Sequence, residues 1–448
     1  MTSKSKIGLF AVALMVLALN ANAAGQCSPS PTSPALRSQD GYLLDSLGRV
    51  TLLRGANVPA HSYPAGHFNE QDLQALESFG FNFIRLGISW EKAEPEQGKF
   101  DMNYIRSLRD FAQKAGAHGI YVMPEVHKFG WCQVGGDMPA WACGGKLNSG
   151  SNFLAMLTTS RRFWKDLDAQ QDLIELWLVI VKEFKGLPNL MGYNVLNEPI
   201  DDGMLVPGVF DKELFRFYGN WIKAVRQVDP LRPAVLEPST INLFIPLKPP
   251  PFPFDNLVYA PHPYFAHTYN AKGLVIIEHE DKKGLEKKYA RNAREAKMLN
   301  APLVIGEYGG DPDRSFTREW LAQSLMLQDR YFAGAAIWAY GRSDTGWSIL
   351  DGKGEPKPFH WEQLRRPYPR HTAGKPLTLH YSPAEKIFSY SYAPDQAISA
   401  ATEIFLPREL AKGPLTVSGA AWVYNEDDQL LCLTPLAGSK QVKVEAGK

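Results

Sequence analysis

The sequence predicts an α/β chain built from a (β/α)8 TIM barrel followed by a small C-terminal β-sandwich domain. Eight short apolar segments alternate with helical segments over about 330 residues, a length that suits such a barrel. Beyond about residue 370, short and partly alternating segments are punctuated by Pro, Gly and Asp or Asn, without helical periodicity. The 448 residues also exceed one ordinary core, which indicates two domains.

The order of the elements supports the barrel. Helix 101–117, for example, repeats apolar residues at helical spacing, from Tyr104 and Ile105 to Ala115. Asp45 and Gly48 predict a turn that closes a small hairpin over one end of the fold, and 128–168 is predicted as one long loop. The strands are predicted at 50–57, 81–87, 120–127, 190–198, 234–237, 257–264, 302–307 and 334–339. The helices are predicted at 69–79, 101–117, 170–185, 211–228, 281–298, 316–329 and 358–365.

A doubly wound open sheet is the alternative fold, but no Gly-rich phosphate turn follows an early strand. We divide the chain into a signal peptide at 1–23, a leader at 24–36, the barrel at 37–368 and the β-sandwich at 369–448. In the signal peptide, lysines precede an apolar run that ends before Ala21-Asn22-Ala23, a small-x-small cleavage site. A membrane anchor is the alternative, but the run is shorter than the roughly 20 residues that a span requires. We therefore expect a secreted or periplasmic protein.

Charge and cysteine content limit the partners. The net charge is +1, which gives no indication of nucleic acid or of an acidic membrane surface. Four cysteines in an exported chain allow three disulfide pairings. Cys132 and Cys143 share one Gly- and Trp-rich segment and are a candidate disulfide, while Cys27 and Cys432 lie near opposite ends. No Cys/His spacing resembles a zinc site, and we expect no metal.

Two predicted strands end in a glutamate. Glu198 follows one apolar run within Asn197-Glu198-Pro199, and Glu307 follows another at 302–306. Because the carboxyl ends of parallel strands converge on one face of a barrel, these two glutamates are expected to meet there. The three βα units between them average about 36 residues, close to the roughly 30 of a 250-residue barrel. Such a pair predicts hydrolysis of a glycosidic bond, for which two carboxyls and water suffice without a cofactor.

The surroundings of the two glutamates suggest their roles. Glu198 lies among apolar residues that would hold its proton, as a general acid requires. Glu307 would accept hydrogen bonds from Arg85 and Tyr264 and stay ionised as a nucleophile. Glu237 also ends a strand, but no matching acid lies around it in the sequence, so we interpret it as structural. The candidate substrate-binding residues at the strand ends are Arg85, Glu125, His127, Asn197, His262, Tyr264 and Trp338.

At these residues the chain resembles glycoside hydrolase family 5. Asn197-Glu198-Pro199 is similar to the acid/base motif of that family, and Glu307 within Ile305-Gly306-Glu307-Tyr308-Gly309 is similar to its nucleophile. A closer resemblance is to the endoglycoceramidases, through 85–91, 139–142 and 366–370. It implies cleavage, with retention of configuration, of the bond between a glycan and ceramide. It also implies a groove for lipid chains, with 128–168 and 244–254 (Phe244, Phe252 and Phe254) as candidate walls.

The chain departs from the endoglycoceramidase pattern in three places. Glu125 and Lys128 replace the Asp and Gln of the usual Asp-x-His-Gln, and His61 lies where a lysine is expected. The first sugar is therefore left open between glucose and galactose. The alternatives are a polysaccharide endoglycanase acting on glucan or mannan, another β-glycosidase, or a non-catalytic glycolipid-binding barrel. We expect a glycolipid or oligosaccharide substrate, transient contact with a membrane or micelle surface, and a monomer.

Overall fold

The structure is a computed structural model that describes residues 35–59, 69–128, 132–147, 153–201, 203, 206, 208–264, 267–269, 275–278 and 282–447. The predicted signal peptide, Cys27 and His61 lie outside these residues. The chain separates into two compact units. The barrel unit contains Pro31–Ser46 and Leu53–Leu364, and the C-terminal unit contains Leu47–Leu52 and Arg365–Lys448. No helix in the described part of the chain is long and apolar enough to span a membrane.

The barrel unit alternates strands and helices as predicted. Its strands, numbered along the whole chain, are β1 (Arg37–Gln39), β2 (Tyr42–Leu44), β4 (Arg54–Val58), β5 (Phe83–Ser89), β6 (Tyr121–His127), β7 (Tyr193–Asn194), β8 (Ala234–Leu236), β9 (Leu257–Tyr259), β10 (His267–Tyr269), β11 (Val275–Glu278), β12 (Val304–Tyr308) and β13 (Gly334–Ile337). Its helices are α1 (Glu70–Ser78), α2 (Trp90–Ala93), α3 (Met102–Ala117), α4 (Phe153–Lys165), α5 (Leu167–Phe184), α6 (Val209–Arg226), α7 (Lys282–Met298), α8 (Ser315–Arg330) and α9 (Pro358–Leu364).

Eight parallel strands form the barrel in the order β12-β13-β4-β5-β6-β7-β8-β9. A parallel bridge between Tyr259 and Leu303 joins β9 back to the start of β12. The Tyr259 amide donates to the Pro302 carbonyl at 3.0 Å at the same junction. The predicted TIM barrel is therefore confirmed. Every residue of β5 and β6 is buried, as expected for strands covered on both faces.

Local sequence signals account for where several helices begin. Asn69 and Asp72 form a reciprocal capping box at the start of α1. The side chains of Asp101 and Asp166 accept main-chain N–H groups at the starts of α3 and α5. Helix α3 buries the predicted apolar stripe against the barrel, including Tyr104 and Ala115. Sequence and packing therefore agree on these elements.

A short hairpin closes the amino-terminal end of the barrel. Strands β1 and β2 pair in antiparallel register around a turn at Asp40-Gly41. A second turn lies at Ser46 and Leu47, between the predicted turn residues Asp45 and Gly48. Leu36 and Leu43 beside the Asp40-Gly41 turn belong to an interior cluster with side chains from the barrel strands. The hairpin thus fills the end opposite the one where the strands present their carboxyl termini.

Two regions differ from the prediction. The segment 128–168 is not one loop, because it contains a 3₁₀ turn at Trp141–Cys143 and the helix α4. Several β-branched and hydroxyl residues weaken the helical signal of α4, but burial of Phe163 and Trp164 stabilises it. The hairpin β10–β11 was also not predicted. Cys132 and Cys143 are joined by a disulfide bond, with their Cα atoms 5.6 Å apart.

The C-terminal unit consists of antiparallel sheets, as predicted. The strands are β3 (Val50–Thr51), β14 (Tyr368–Thr372), β15 (Gly374–Ser382), β16 (Ile387–Pro394), β17 (Thr402–Phe405), β18 (Leu415–Ser418), β19 (Ala420–Asn425), β20 (Leu430–Pro435) and β21 (Val442–Gly447). One sheet contains the order β3-β14-β17-β20-β19, and the other has the order β15-β16-β21-β18. Strands are present at the alternating segments 377–381, 387–392, 402–406 and 415–418, together with five other strands and a helical turn, α10 (Arg408–Ala411).

Candidate active site

The carboxyl ends of the barrel strands bring the predicted site residues into one connected cluster. Arg85 of β5 contacts Glu307 of β12 at 2.7 Å and Asn197 at 2.8 Å. Other members are linked through Glu198 and through stacked rings, as described below. The cluster contains all nine predicted residues: Arg85, Glu125, His127, Asn197, Glu198, His262, Tyr264, Glu307 and Trp338.

Arg85 is fully buried and lies at the centre of this cluster. Its Nη2 also donates to Glu237 at 2.8 Å, and its Nε donates to Asn194 at 3.0 Å. Burial alone would lower the pKa of Arg85, but the charges of Glu125, Glu237 and Glu307 raise it above its ordinary value. Arg85 therefore remains a cation that holds three carboxylates around one point.

Glu307 accepts hydrogen bonds from two donors. Its Oε1 accepts from Arg85, and its Oε2 accepts from the Tyr264 hydroxyl at 3.0 Å. Burial, with the nearby charge of Glu307, raises the pKa of Tyr264 well above its usual value, so its hydroxyl keeps its proton and donates. These are the two contacts expected from the sequence, and the arrangement suits a nucleophile.

Glu198 has an unusual main-chain conformation. Its φ is +43°, which a non-glycine residue adopts rarely and which is concentrated at functional sites. Hydrogen bonds hold both sides of the residue. Its N–H donates to Glu237 Oε2 at 2.8 Å, and its carbonyl accepts from Lys128 Nζ at 2.7 Å and from the Thr240 hydroxyl at 3.2 Å. The side chain points into the cluster and is about one third exposed.

The surroundings of Glu198 are charged rather than apolar, which corrects the expectation that it holds its proton in the free protein. His262 Nδ1 lies 3.1 Å from Glu198 Oε1. Burial raises the pKa of Glu198, but His262 and Lys128 together bring it below its usual value. Burial lowers the pKa of His262, whereas Glu237 and Glu307 raise it to about 9. The proton shared by the pair therefore resides on His262 in the unliganded site.

The two candidate catalytic carboxylates lie close together. One oxygen of Glu198, one of Glu307 and a ring nitrogen of His262 all lie within 4.8 Å of one another. Among the described residues, these three are the set with spacing suited to a metal ion. A protonated His262 has no lone pair to offer a cation, so the cluster is better suited to proton transfer than to metal binding.

One wall of the site is formed by Glu125, His127 and Trp338. Glu125 Oε1 lies 2.6 Å from His127 Nδ1, and the His127 ring stacks on the Trp338 ring with centroids 5.1 Å apart. Despite burial, Arg85 and His127 lower the pKa of Glu125. Despite burial, Glu125 raises the pKa of His127. The pair formed by Glu125 and His127 is therefore ionic.

Four polar residues in the cluster were not among the predicted site residues. Asn57 and Asn194 both accept from Arg85, and Lys128 supports the Glu198 carbonyl. The sequence shows no acid around Glu237, but the fold brings acids to it, because the Arg85 guanidinium that donates to Glu237 also contacts Glu307 and Glu125. The position of Glu237 at the end of β8 gave the same signal that identified Glu198 and Glu307.

A closed parallel barrel with two such carboxylates at the carboxyl ends of its strands has the arrangement of a glycoside hydrolase. The family model for cellulase (glycosyl hydrolase family 5) matches residues 45–346. The model for the glycoside hydrolase family 5 C-terminal domain matches residues 366–445. The chain belongs to glycoside hydrolase family 5, and it is an endoglycoceramidase-like O-glycosyl hydrolase.

Similarity to endoglycoceramidases supports the assignment to this family. The chain is 26% identical over 417 residues to endoglycoceramidase I of Rhodococcus hoagii (strain 103S), covering 84% of this chain and 81% of that protein. It is 26% identical over 258 residues to an endoglycoceramidase of Cyanea nozakii, covering 45% of this chain and 50% of that protein. The fold matches endo-glycoceramidase II from Rhodococcus sp. in a ganglioside GM3 complex, with TM-score 0.77 and 24% identity over 91% of this chain and 99% of that one.

Proposed function

We propose that the protein is a secreted retaining endo-β-glycosidase that cleaves the bond between glycan and ceramide in glycosphingolipids. The observation that carries the proposal is the approach of Glu198 and Glu307 oxygens within 4.8 Å of each other. Retaining glycosidases hold their carboxyl groups about 5–5.5 Å apart, whereas inverting enzymes need about 6.5–9.5 Å for a water between them. The short separation supports double displacement.

In the first step, a Glu307 oxygen attacks the anomeric carbon while the bond to the ceramide oxygen breaks. Glu198 gives its proton to that oxygen, so ceramide leaves as a neutral alcohol. In the second step, Glu198 takes a proton from water, whose oxygen attacks the anomeric carbon and releases Glu307. Arg85 and Tyr264 stabilise the Glu307 carboxylate in both its attacking and its leaving form.

The first step requires the proton to move from His262 back to Glu198. Glu198 Oε1 and His262 Nδ1 are 3.1 Å apart, so the transfer needs no change of position. Binding of a neutral sugar between the carboxylates would exclude water and disfavour the ion pair of Glu198 and His262. Asn197 would bond the sugar 2-hydroxyl, and its side chain is held by Arg85 and by the Lys128 carbonyl.

Apolar side chains beside the site would receive the lipid. A crevice that includes Glu198 adjoins a second crevice, which shares Pro238, Ser239 and Asn242 with it. The second crevice reaches Val206, which is 56% exposed, and Phe244 in the following loop is 61% exposed. These two side chains are the proposed contacts for the ceramide chains.

Two phenylalanines expected in this wall lie elsewhere. Phe252 and Phe254 pack on each other, and Phe252 also packs against Phe215 of α6. The guanidinium of Arg226 covers the Phe254 ring at 5.9 Å. These two rings therefore pack within the barrel unit rather than against a bound lipid. This corrects the expectation that they form part of the wall of a lipid groove at 244–254.

The first sugar is proposed to be glucose or galactose, and the wall containing Glu125 is where they would be distinguished. The two sugars differ only in the direction of the 4-hydroxyl. Glu125 is one methylene longer than the aspartate of the related pattern, and Arg85 and His127 fix its carboxylate in place. The length of the Glu125 side chain would therefore decide whether the 4-hydroxyl of glucose or that of galactose has a hydrogen-bond partner.

The experiment compares glucosyl- and galactosyl-ceramide glycolipids with soluble glucan and mannan. The wild-type protein should release ceramide from one or both glycolipids and should leave the soluble polysaccharides intact. Glu198→Gln and Glu307→Gln should each lose that activity, because each removes one step of the double displacement. Hydrolysis of soluble glucan or mannan without a lipid aglycone would replace the proposal with an endoglycanase.

We also propose export, a monomeric state and transient contact with a micelle or membrane surface. Export rests on residues 1–23, whose removal would appear as a mature amino terminus near Ala24 by mass spectrometry. The monomer is checked by light scattering of the purified protein. Contact with a lipid surface is checked by sedimentation with glycolipid-containing vesicles. A retained amino terminus would contradict export.

A further inference from the structure

We propose that Glu237 is a positioning residue for the acid/base, holding the main chain of Glu198 and, through His262, governing the proton that Glu198 uses. The proposal rests on the assignment of Glu198 as acid/base in the preceding section. Glu237 touches neither of the bonds that change in the reaction. It acts on Glu198 through one hydrogen bond and on His262 through charge.

The contacts of Glu237 use both of its carboxylate oxygens as acceptors. Its Oε2 accepts the Glu198 N–H at 2.8 Å, and its Oε1 accepts from Arg85 at 2.8 Å. Its main-chain carbonyl accepts from the Tyr218 hydroxyl, also at 2.8 Å. Glu237 is only 2% exposed, and hydrogen bonds fix both its carboxylate and its main-chain carbonyl. A side chain held in this way can in turn hold the residue bound to it.

Glu198 needs such support because of its backbone conformation. A non-glycine residue with positive φ persists only when the surrounding structure imposes it. Lys128 and Thr240 hold the carbonyl side of Glu198, whereas Glu237 holds the amide side. Without the Glu237 acceptor, the Glu198 amide would lose its bond and the peptide could rotate toward an ordinary conformation. The carboxyl group would then leave its place beside the glycosidic oxygen.

The second action is electrostatic. His262 lies between the two glutamates, with Nδ1 3.1 Å from Glu198 Oε1 and Nε2 3.5 Å from Glu237 Oε2. The negative charge of Glu237 therefore favours the proton on the pair formed by Glu198 and His262. Its removal should let the pair lose that proton at a lower pH. The other charged or titratable groups around this pair are Arg85, Glu125, His127, Lys128, Tyr264 and Glu307.

The test variant is Glu237→Gln, and Glu295→Gln is the matched control. Each glutamate is 2% exposed, and each accepts a main-chain N–H at 2.8 Å, from Glu198 and Leu247 respectively. Glu295 also accepts from the Tyr259 hydroxyl at 2.6 Å and contacts neither Glu198 nor Glu307 through a hydrogen bond. The same chemical change thus removes a buried carboxylate at two sites, only one of which supports the acid/base.

The assay compares two leaving groups. A glycolipid needs its leaving oxygen protonated, whereas a 2,4-dinitrophenyl glycoside of the same sugar does not. For Glu237→Gln, kcat/KM should fall about 10- to 100-fold on the glycolipid and stay within about threefold of wild type on the dinitrophenyl glycoside. The alkaline limb of the glycolipid pH profile should move down by about one pH unit. Glu295→Gln should leave kcat/KM on the dinitrophenyl glycoside and the alkaline limb of the pH profile unchanged.

An equal loss on both substrates, an unmoved alkaline limb, or the same pattern in Glu295→Gln would overturn the proposal. If Glu237→Gln does not fold, Glu237→Asp keeps the charge and shortens the reach. It should keep the alkaline limb and still lose activity on the glycolipid alone, and an equal loss on both substrates would again overturn the proposal. Glu198→Ala with azide is measured alongside. If azide does not raise kcat of Glu198→Ala on the dinitrophenyl glycoside, the acid/base assignment itself fails, and the Glu237 proposal falls with it.

Discussion

Arg85 shows how one residue organises the charges of the site. It is fully buried and donates to Glu307, Glu237, Asn57, Asn194 and Asn197, so its five N–H groups meet five acceptors. A guanidinium offers this planar set of donors, which a lysine cannot match. The consequence is that the carboxylates of Glu237 and Glu307 have a fixed direction before any substrate binds.

The shared proton of Glu198 and His262 gives a pH prediction. The pKa of His262 is raised from its ordinary 6.5 to about 9, so the pair keeps one proton through neutral pH and loses it as the pH rises past that value. Since the first step consumes that proton, kcat/KM on the glycolipid should decline on the alkaline side near pH 9. The measurement is kcat/KM across pH 5 to 10.5.

The control for this profile is the dinitrophenyl glycoside, whose departure needs no acid. Its kcat/KM should stay level through pH 9 while that of the glycolipid falls. An alkaline limb for the glycolipid near the ordinary histidine value would mean that Glu237 and Glu307 do not hold the proton on His262.

Gly306 gives a second prediction at this scale. A Cβ at this position would lie 2.6 Å from His262 Nε2 and 3.0 Å from its Cδ2, closer than atoms can pack. Gly306→Ala should therefore displace His262 and lower kcat/KM on the glycolipid at least tenfold, because small displacements in a site cost about that much or more. Steady-state kinetics on the purified variant check this.

Gly334→Ala is the comparison for Gly306→Ala. It adds the same methyl group to the neighbouring strand β13, where the nearest atom is a Val304 methyl at 3.1 Å. Its effect should be confined to stability, with kcat/KM near that of the wild type. Similar losses in the two variants would contradict a specific role for the space beside His262.

At the scale of elements, the strand ends were predictable and the loops were less so. Each strand of the barrel is a short apolar run, and its end carries polar residues, so the position of Glu198, Glu307 and Glu237 at the mouth of the barrel could be predicted. The role of Glu237 could not, since it depends on which side chains from other strands converge on it. Helix α4 was missed because tertiary burial outweighed its weak local signal.

The hairpin β1–β2 provides a prediction at this scale. Leu43 is 3% exposed and packs with interior side chains of the barrel strands. Leu43→Ala should lower the free energy of unfolding by about 2–4 kcal/mol, through lost burial and the remaining cavity. Urea denaturation followed by tryptophan fluorescence measures it. The comparison variant Leu231→Ala lies at a site that is 69% exposed and should change the free energy of unfolding by less than about 0.5 kcal/mol. Equal effects of the two variants would contradict a stabilising role for the hairpin.

At the scale of the molecule, the barrel places residues that are distant in sequence over one sugar. Arg85 and Glu307 are 222 positions apart and meet at 2.7 Å. The sequence predicted this convergence because the fold class dictates where strand ends lie. It did not predict the proton on His262, because that depends on distances among charges that only the assembled barrel sets.

The most direct test of the account is the anomeric configuration of the first product released from the glycolipid, followed by proton NMR before mutarotation. A double displacement through Glu198 and Glu307 predicts that the β-anomer of the sugar appears first. An α-anomer appearing first would mean that water attacks directly, and would contradict the assignment of Glu307 as nucleophile.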